Sequence, residues 1–383
     1  WVKRIADEGA SAARDALPEV SRRQVADAEI FGVAAFCQQA IHGALSEVLP
    51  PDRRGLLLEL PSGQDFPEGL FAVALWDYAN GRGSRDQVVR EWGYFGSDGG
   101  DCRSPSIRAR PEMVEGLVAA YRGAPSPTDL VRASQARRAM LVRELLADLK
   151  GVRRSTAEWL LGLADRLALA RELGRSAWLQ SMDVGRCAGM AIGQELAAAG
   201  HLRTPSDVIY LTWQEVLEAD PEGFDATVAY RRGLEAWRES FALPNRFAGD
   251  PPLLPRDDHE TLETDDEEPR PLGGMPAAAG VVRGAARVIL SPFDAERFRR
   301  GDILVCRFTD PSWTPIISLA GGIVADIGGA LSHGAIIARE LGVPAIVNTR
   351  VGTRRIPDGA LIEIDGATGV IRLLDADHRD AAA

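Results

Sequence analysis

The sequence predicts an α/β protein: a largely α-helical amino-terminal region, residues 1–248, followed by a compact carboxy-terminal α/β domain, residues 272–375. Three observations predict it. Apolar residues recur at spacings of three and four through residues 129–200 with few breakers. Short β-rich runs alternate with short helical ones through residues 272–375. Between the two, residues 249–271 are built from prolines and charged residues that cannot bury a core.

Taken in order, residues 19–48 read as a helix, with Val25, Ala28, Phe31 and Ala35 at helical spacing and a stop at Pro50-Pro51. Leu56 to Leu60 is too short to assign. Phe66–Tyr78 and Asp86–Trp92 read as helices, followed by a glycine-rich polar loop from Trp92 to Pro105. Its Gly96-Ser-Asp-Gly-Gly-Asp101 core is a weak signal for a phosphate cradle, since the same residues are more often ordinary turn chemistry. Helical periodicity returns from Met140 to Leu149 and from Trp159 to Leu169. Arg171, Arg175 and Arg186 then project within about 60° of one another on an ideal helix. Such a stripe is most often a solvated face; turned toward a cleft, its forked donors suit phosphate or carboxylate. Gly174 and Gly185 beside it mark close packing or a break. His42 and His201 read as structural.

A short extended piece from Thr204 precedes a helix whose start, Thr212 with Glu215, has the pattern of a capping box. A further helix spans Phe224–Ser240. The linker carries eight acids in residues 257–268, whose repulsion keeps it extended. A flexible chain of that length spans about 25–30 Å; an inert tether would share the composition. Strands are predicted at Ala286–Leu290, Ile303–Arg307, Gly322–Ala325, Ala345–Val347, Leu361–Ile364 and Val370–Leu374, with a frayed tail at 376–383.

Composition narrows the function classes. Forty-four basic against 55 acidic residues give a formal charge of −11, which argues against a nucleic-acid partner. The four cysteines are widely spaced, with neither a disulfide framework nor a metal-site pattern, so no metal site is expected and a reducing cytoplasm is. No apolar run approaches the roughly 18 residues of a membrane span. No signal peptide is visible, and the first residue, Trp1, reads as the start of a fragment or trimmed chain.

The chemistry concentrates in Gly328 to Pro344. A glycine turn leads to Ser332, expected to cap a helix with its side-chain oxygen, and His333 sits in the first turn. Ile336, Ile337 and Leu341 fall on one face, and Gly342 with Pro344 ends the helix. Unpaired amides and the positive end of the helix dipole favour an anionic group there. An imidazole nitrogen can also act as a covalent nucleophile. On these residues alone, a capping or satisfied histidine is the commoner case.

The stretch Gly274 to Gly284, Gly301 to Val305, Thr309-Asp-Pro311, Gly328-Gly329, Ser332-His-Gly334 and Gly342-Val-Pro-Ala345 resembles the swivelling phosphohistidine domain of phosphoenolpyruvate-utilising enzymes, in order and in spacing. Thr204 to Val216 resembles a passage ahead of the linker in rifampin phosphotransferase-like members, which place the histidine domain last. The Gly96 to Asp101 loop departs from the pattern expected in that region.

The resemblance implies His333 as phosphoryl carrier, with Ser332 and Gly334 orienting the ring and offering backbone donors. It further implies Arg339 on the phosphoryl group, Thr309 and Asp310 as neighbours, and Arg171, Arg175 and Arg186 as acceptor-site candidates. It implies ATP and Mg2+ held by an ATP-grasp domain or subunit outside this chain, and a small-molecule hydroxyl as acceptor. The alternatives are an ATP-independent biosynthetic enzyme using His333 as acid or base, for elimination, dehydration or cyclisation, and a non-catalytic interaction module.

Overall fold

The computed structural model describes residues 1–59, 67–96, 101, 103–218, 220–242, 248–251, 253–255, 271–330 and 332–374. Most of the acidic linker (256–270), the centre of the glycine-rich loop (97–100) and the tail from 375 lie outside the described residues.

In chain order the helices begin with α1 (Val2–Glu8), α2 (Ala10–Val48), α3 (Pro67–Ala79), α4 (Arg85–Trp92), α5 (Val114–Tyr121), α6 (Pro127–Leu146) and α7 (Gly151–Ala198). Next come α8 (Trp213–Glu218), α9 (Phe224–Glu239) and the short strands β1 (Phe241–Ala242) and β2 (Leu254–Pro255). The helix predicted from residue 19 in fact starts at Ala10, with Pro18 inside it. Ala12, Ala13, Ala16 and Leu17 are fully buried, and that packing outweighs the proline as a stop signal. Residues 51–59 form a 3-10 helix.

The described residues divide into two compact units, Trp1–Arg23 with Ser181–Pro271, and Gln24–Gln180 with Leu272–Ala383; α2 and α7 contribute to both. In the first unit, the buried alanines of α2 pack with Ala188, Ile192 and Leu196 of α7 and with Val208, Phe224 and Val228. A Cβ at Gly193 would collide with the Pro205 carbonyl, so only glycine permits that approach. The extended piece expected at 204–211 is instead a 3-10 helix, Pro205–Tyr210, because Thr204 and Asp207 close a capping box of their own. The predicted Thr212–Glu215 box is present: Thr212 N–H donates to Glu215 Oε2 (2.7 Å) and Glu215 N–H to Thr212 Oγ1 (3.3 Å). Arg231 also grips Glu215, at 2.6 and 2.8 Å, and this guanidinium is the main cause that pulls the carboxyl down to about 2.

The second unit holds the remaining elements: β3 (Met275–Ala278), β4 (Val281–Val288), β5 (Ile303–Cys306), α10 (Thr314–Ile317), β6 (Gly322–Ala325), α11 (His333–Leu341), β7 (Ala345–Val347), α12 (Gly352–Arg355), β8 (Leu361–Asp365) and β9 (Val370–Leu373). Their sheet has the order β3-β7-β6-β5-β4-β8-β9. Strands β4, β5, β6 and β7 run parallel, in registers such as Val288↔Val305 and Val305↔Val324; β3, β8 and β9 pair antiparallel at the flanks. Strands β5 and β6 are buried throughout, as parallel strands covered on both faces must be. The six predicted strands are found, and β3 adds one that the sequence reading passed over; its Pro276 and the register shift beside it make a weak periodic signal.

Helices α3 and α5 share one core with this sheet. Phe71, Leu75, Leu117, Val118 and Tyr121 lie in the same buried cluster as Phe298, Trp313, Ile316 and Ile317. Tyr121, 1% exposed, donates from its hydroxyl to the Pro315 carbonyl at 2.9 Å and lies 2.7 Å from Ser318 Oγ. A separate cluster packs Ile41 and Leu45 of α2, and Leu49 just beyond it, with Leu145 of α6 and Leu160 and Leu161 of α7.

Tyr121→Phe removes the buried donor while keeping the ring. We expect a loss of about 1–2 kcal/mol, read as a lower urea midpoint with an unchanged m-value.

Candidate functional site

Strand order decides what surrounds His333. Strands β5 and β6 are parallel neighbours, so the loops leaving their carboxyl ends lie side by side, the usual place for ligands in such sheets. The loop after β5 carries Thr309 and Asp310 and leads into α10; the loop after β6 carries Gly328 and Gly329 and leads into α11. His333 is the first residue of α11. Ser332 occupies the N-cap in extended conformation, yet its side chain makes no capping bond, which corrects the cap expected of it. Gly342 closes the helix at φ 68°, the left-handed conformation glycine allows. Arg137 of α6 donates to the Glu340 carbonyl at 2.8 Å, a cation on the negative end of the α11 dipole.

The ring of His333 is held at both nitrogens. Arg175 Nη2 lies 3.2 Å from Nδ1, and Thr314 Oγ1 lies 3.2 Å from Nε2. A guanidinium has no lone pair to accept with, so Nδ1 accepts and the ring hydrogen sits on Nε2, donated to Thr314. Burial, then the charges of Arg175 and Arg171, push the imidazole pKa well below its ordinary value, so the ring is neutral at pH 7.

The α7 side of the site is a buried charge cluster. Arg171 donates from Nε (2.9 Å) and Nη2 (2.6 Å) to Glu172 Oε1, while Glu172 Oε2 lies 2.9 Å from Arg175 Nη2. Glu172 is 3% exposed, and the guanidiniums are mostly covered. Gly174 makes this possible: a Cβ there would press on Ile30 and the Phe31 backbone, so α2 comes close to α7 and brings Phe31 into the site. A cavity of about 190 Å³ results, lined by Phe31, Arg171, Glu172, Arg175, His333, Ile336 and Ile337.

Of the residues singled out from sequence, the structure brings together His333, Arg171 and Arg175. Thr309 abuts the same helix start, where its hydroxyl occupies the space a side chain at Gly334 would need. Asp310 caps the 3-10 turn Pro311–Trp313 by accepting from Ser312 N–H at 2.8 Å. Arg339, expected on a phosphoryl group, instead donates to the carbonyls of Ala277 (2.8 Å) and Ala330 (2.5 Å) and ties β3 to the glycine turn. Arg186 belongs to the first unit, where it pairs with Asp183 at 3.4 Å; the cavity is lined without it. Thr314, Glu172 and Phe31 were missed. Only Thr314 had a signal, its place five residues beyond Thr309. Among the described residues no group of three or more His, Cys, Asp and Glu could hold a metal ion, and no helix is long and apolar enough to cross a membrane.

Comparison with known proteins agrees with this architecture. The family described as "PEP-utilising enzyme, mobile domain" matches residues 298–369, which run from just before β5 to the β8–β9 turn and include the histidine helix. The carboxy-terminal domain is therefore the mobile domain of a PEP-utilising enzyme. The relatives specify the branch. The chain is 40% identical over 189 residues to a rifampicin phosphotransferase of Streptomyces sviceus, covering 48% of this chain and 21% of the relative. It is 35% identical over 286 residues to one of Streptomyces sp, covering 72% and 32%, and 36% identical over 185 residues to that of Bacillus subtilis, covering 47% and 20%. The chain carries the PEP-utilising mobile domain at residues 298–369 and is similar to rifampicin phosphotransferases, of which it spans about a fifth to a third of the length.

Arg175→Gln removes the nearest positive charge, so the imidazole pKa of His333 should rise toward the ordinary value, read by NMR titration of the ring. The sign for stability follows. The unfolded histidine takes up a proton near pH 6.5 and the folded one resists it, so His333 contributes stability above about 6.5 that is lost as pH falls. Arg175→Gln should flatten that acid-side loss.

Proposed function

We propose that this chain is the acceptor-binding and phosphohistidine portion of an ATP-dependent dikinase-type phosphotransferase, and that phospho-His333 passes its group to a hydroxyl of a small molecule. One observation carries the reading. A histidine at the amino end of a helix, in a domain of the PEP-utilising type, shares one cavity with two arginines. Rifampicin phosphotransferases, named for their acceptor, are the relatives found, which supports a phosphotransferase. Phe31, Ile336 and Ile337 wall the cavity with apolar surface, which supports an acceptor with an apolar body.

In the loading step, an imidazole nitrogen attacks the β-phosphoryl of ATP at an ATP-grasp site, and AMP and phosphate leave. The Mg2+ of that site supplies charge neutralisation at the nucleotide oxygens. None of this occurs at Arg175, where the Nδ1 lone pair is occupied and Nε2 carries hydrogen. That supports loading elsewhere, with residues 272–375 as the travelling body and 249–271 as its tether. In the transfer step, the forks of Arg171 and Arg175 receive the phosphoryl oxygens and hold the phosphorus in line with the acceptor oxygen. The N–P bond breaks, an O–P bond forms, the ring keeps the electron pair and the acceptor gives up its proton. Ser332 and Gly334 hold the ring at the helix start, with Thr309 and Asp310 in the adjoining loop; Thr314 holds its second nitrogen.

The test combines this chain with the ATP-grasp portion of the Streptomyces sp relative, Mg–ATP and mass spectrometry. We expect an acid-labile phosphoryl adduct on His333, absent in His333→Ala, and discharge to acceptor slowed about 10²-fold or more in Arg175→Gln. No adduct on His333 overturns the reading. Turnover of a substrate by the chain without nucleotide would favour the ATP-independent enzyme instead.

A further inference from the structure

We infer that Glu172 is the general base that takes the proton from the acceptor hydroxyl as the phosphoryl group leaves His333, an assignment that rests on the phosphotransfer reading above.

The two oxygens of this carboxylate are unequal. Oε1 accepts both Arg171 bonds, at 2.9 and 2.6 Å. Oε2 is buried and has no hydrogen bond, although Arg175 Nη2 is only 2.9 Å away, too poorly aligned to donate. A buried carboxylate oxygen left without a hydrogen bond is costly and uncommon, and it asks for a partner that arrives later. Glu172 lines the same cavity as His333. The same Arg175 Nη2 lies 2.9 Å from Oε2 and 3.2 Å from His333 Nδ1, so carboxylate and imidazole flank one guanidinium nitrogen. A phosphoryl group on the ring and the oxygen attacking it occupy that interval.

The charges favour the exchange. Arg171, Glu172 and Arg175 together carry one net positive charge. An arriving phosphoryl group brings about two negative charges and draws the arginine forks onto its oxygens. Arg175 then turns from the carboxylate side to the phosphoryl side, and Oε2 is left facing the acceptor. In the transfer, the acceptor oxygen bonds to phosphorus as the N–P bond breaks and its electron pair returns to the ring; the hydroxyl proton moves to Oε2 and then to solvent. A carboxylate suits such a loose transition state, which needs the proton removed late, as the catalytic-loop aspartate of kinases does.

The test needs no identified acceptor. The chain is loaded with phosphoramidate, a small donor that phosphorylates imidazole directly, with methanol as surrogate acceptor. His333→Ala controls for the other histidines. Methyl phosphate is followed by 31P NMR in water and in D2O. Wild type should form it from phospho-His333 with a solvent isotope effect. In Glu172→Gln, which keeps side-chain shape, we expect loading on His333, methyl phosphate formation slower by about tenfold or more, and no isotope effect. Glu172→Asp, which keeps the carboxylate, should recover part of the rate and the isotope effect. Equal rates in wild type and Glu172→Gln overturn the assignment of Glu172 alone. A slower rate that keeps its isotope effect does so too, since it marks a carboxylate that only positions the arginines. Failure of wild type to load on His333 at all overturns both this assignment and the phosphotransfer reading beneath it.

Discussion

A guanidinium can only donate, and the site depends on that constraint. Arg175 against Nδ1 determines where the ring hydrogen of His333 must be, hence which way the ring faces and what Thr314 does for it. Burial, and then the charges of Arg175 and Arg171, keep the ring uncharged at neutral pH. A neutral histidine beside two cations is costly to protonate and well placed to carry an anion. Glu172 makes the arrangement tolerable, since two buried guanidiniums without a counter-charge would repel one another.

Much of this was legible in the residues, for reasons that can be named. The glycine turn, the serine and the histidine mark a helix start because few other patterns stop a strand and begin a helix so abruptly. That Arg171 and Arg175 share a face was legible from rotation, one turn apart; that this face is covered was not, since such a stripe is most often solvated. Arg186 shows where that argument fails. It projects in the same direction but stands about 16 Å farther along α7 than Arg175, and a shared face is not a shared place. Arg339 failed differently: arginine near a glycine-rich turn serves backbone carbonyls as readily as phosphate, and one-dimensional spacing does not separate the two.

What the sequence concealed depends on neighbours far away in the chain. Thr314 meets His333 because β5 lies beside β6, an adjacency that no local pattern encodes. On a helical wheel Glu172 is one more charged residue of a long helix; its burial depends on neighbours such as α2, which packs closely at Gly174. Ser332 has the backbone of an N-cap and lacks the bond, since side-chain direction is decided by the packing around the turn. The extended piece at Thr204 became a 3-10 helix because a local side-chain bond outcompeted its β-branched residues.

The apolar seam around Tyr121 bears on how a histidine could leave its arginines. At His333, α11 meets α7 through a hydrogen bond to Arg175, a polar contact that water can replace. The contact of α3 and α5 with α10 is a dry interior whose members include Phe71, Leu75, Tyr121, Trp313 and Ile317, and parting it would expose a core to solvent. A rotation that frees the imidazole while sparing that interior carries α3 and α5 along as passengers. A motion that kept this interior whole would add α3 and α5 to the residues 272–375 proposed to travel, a stretch of chain more than 150 residues upstream of the histidine it serves.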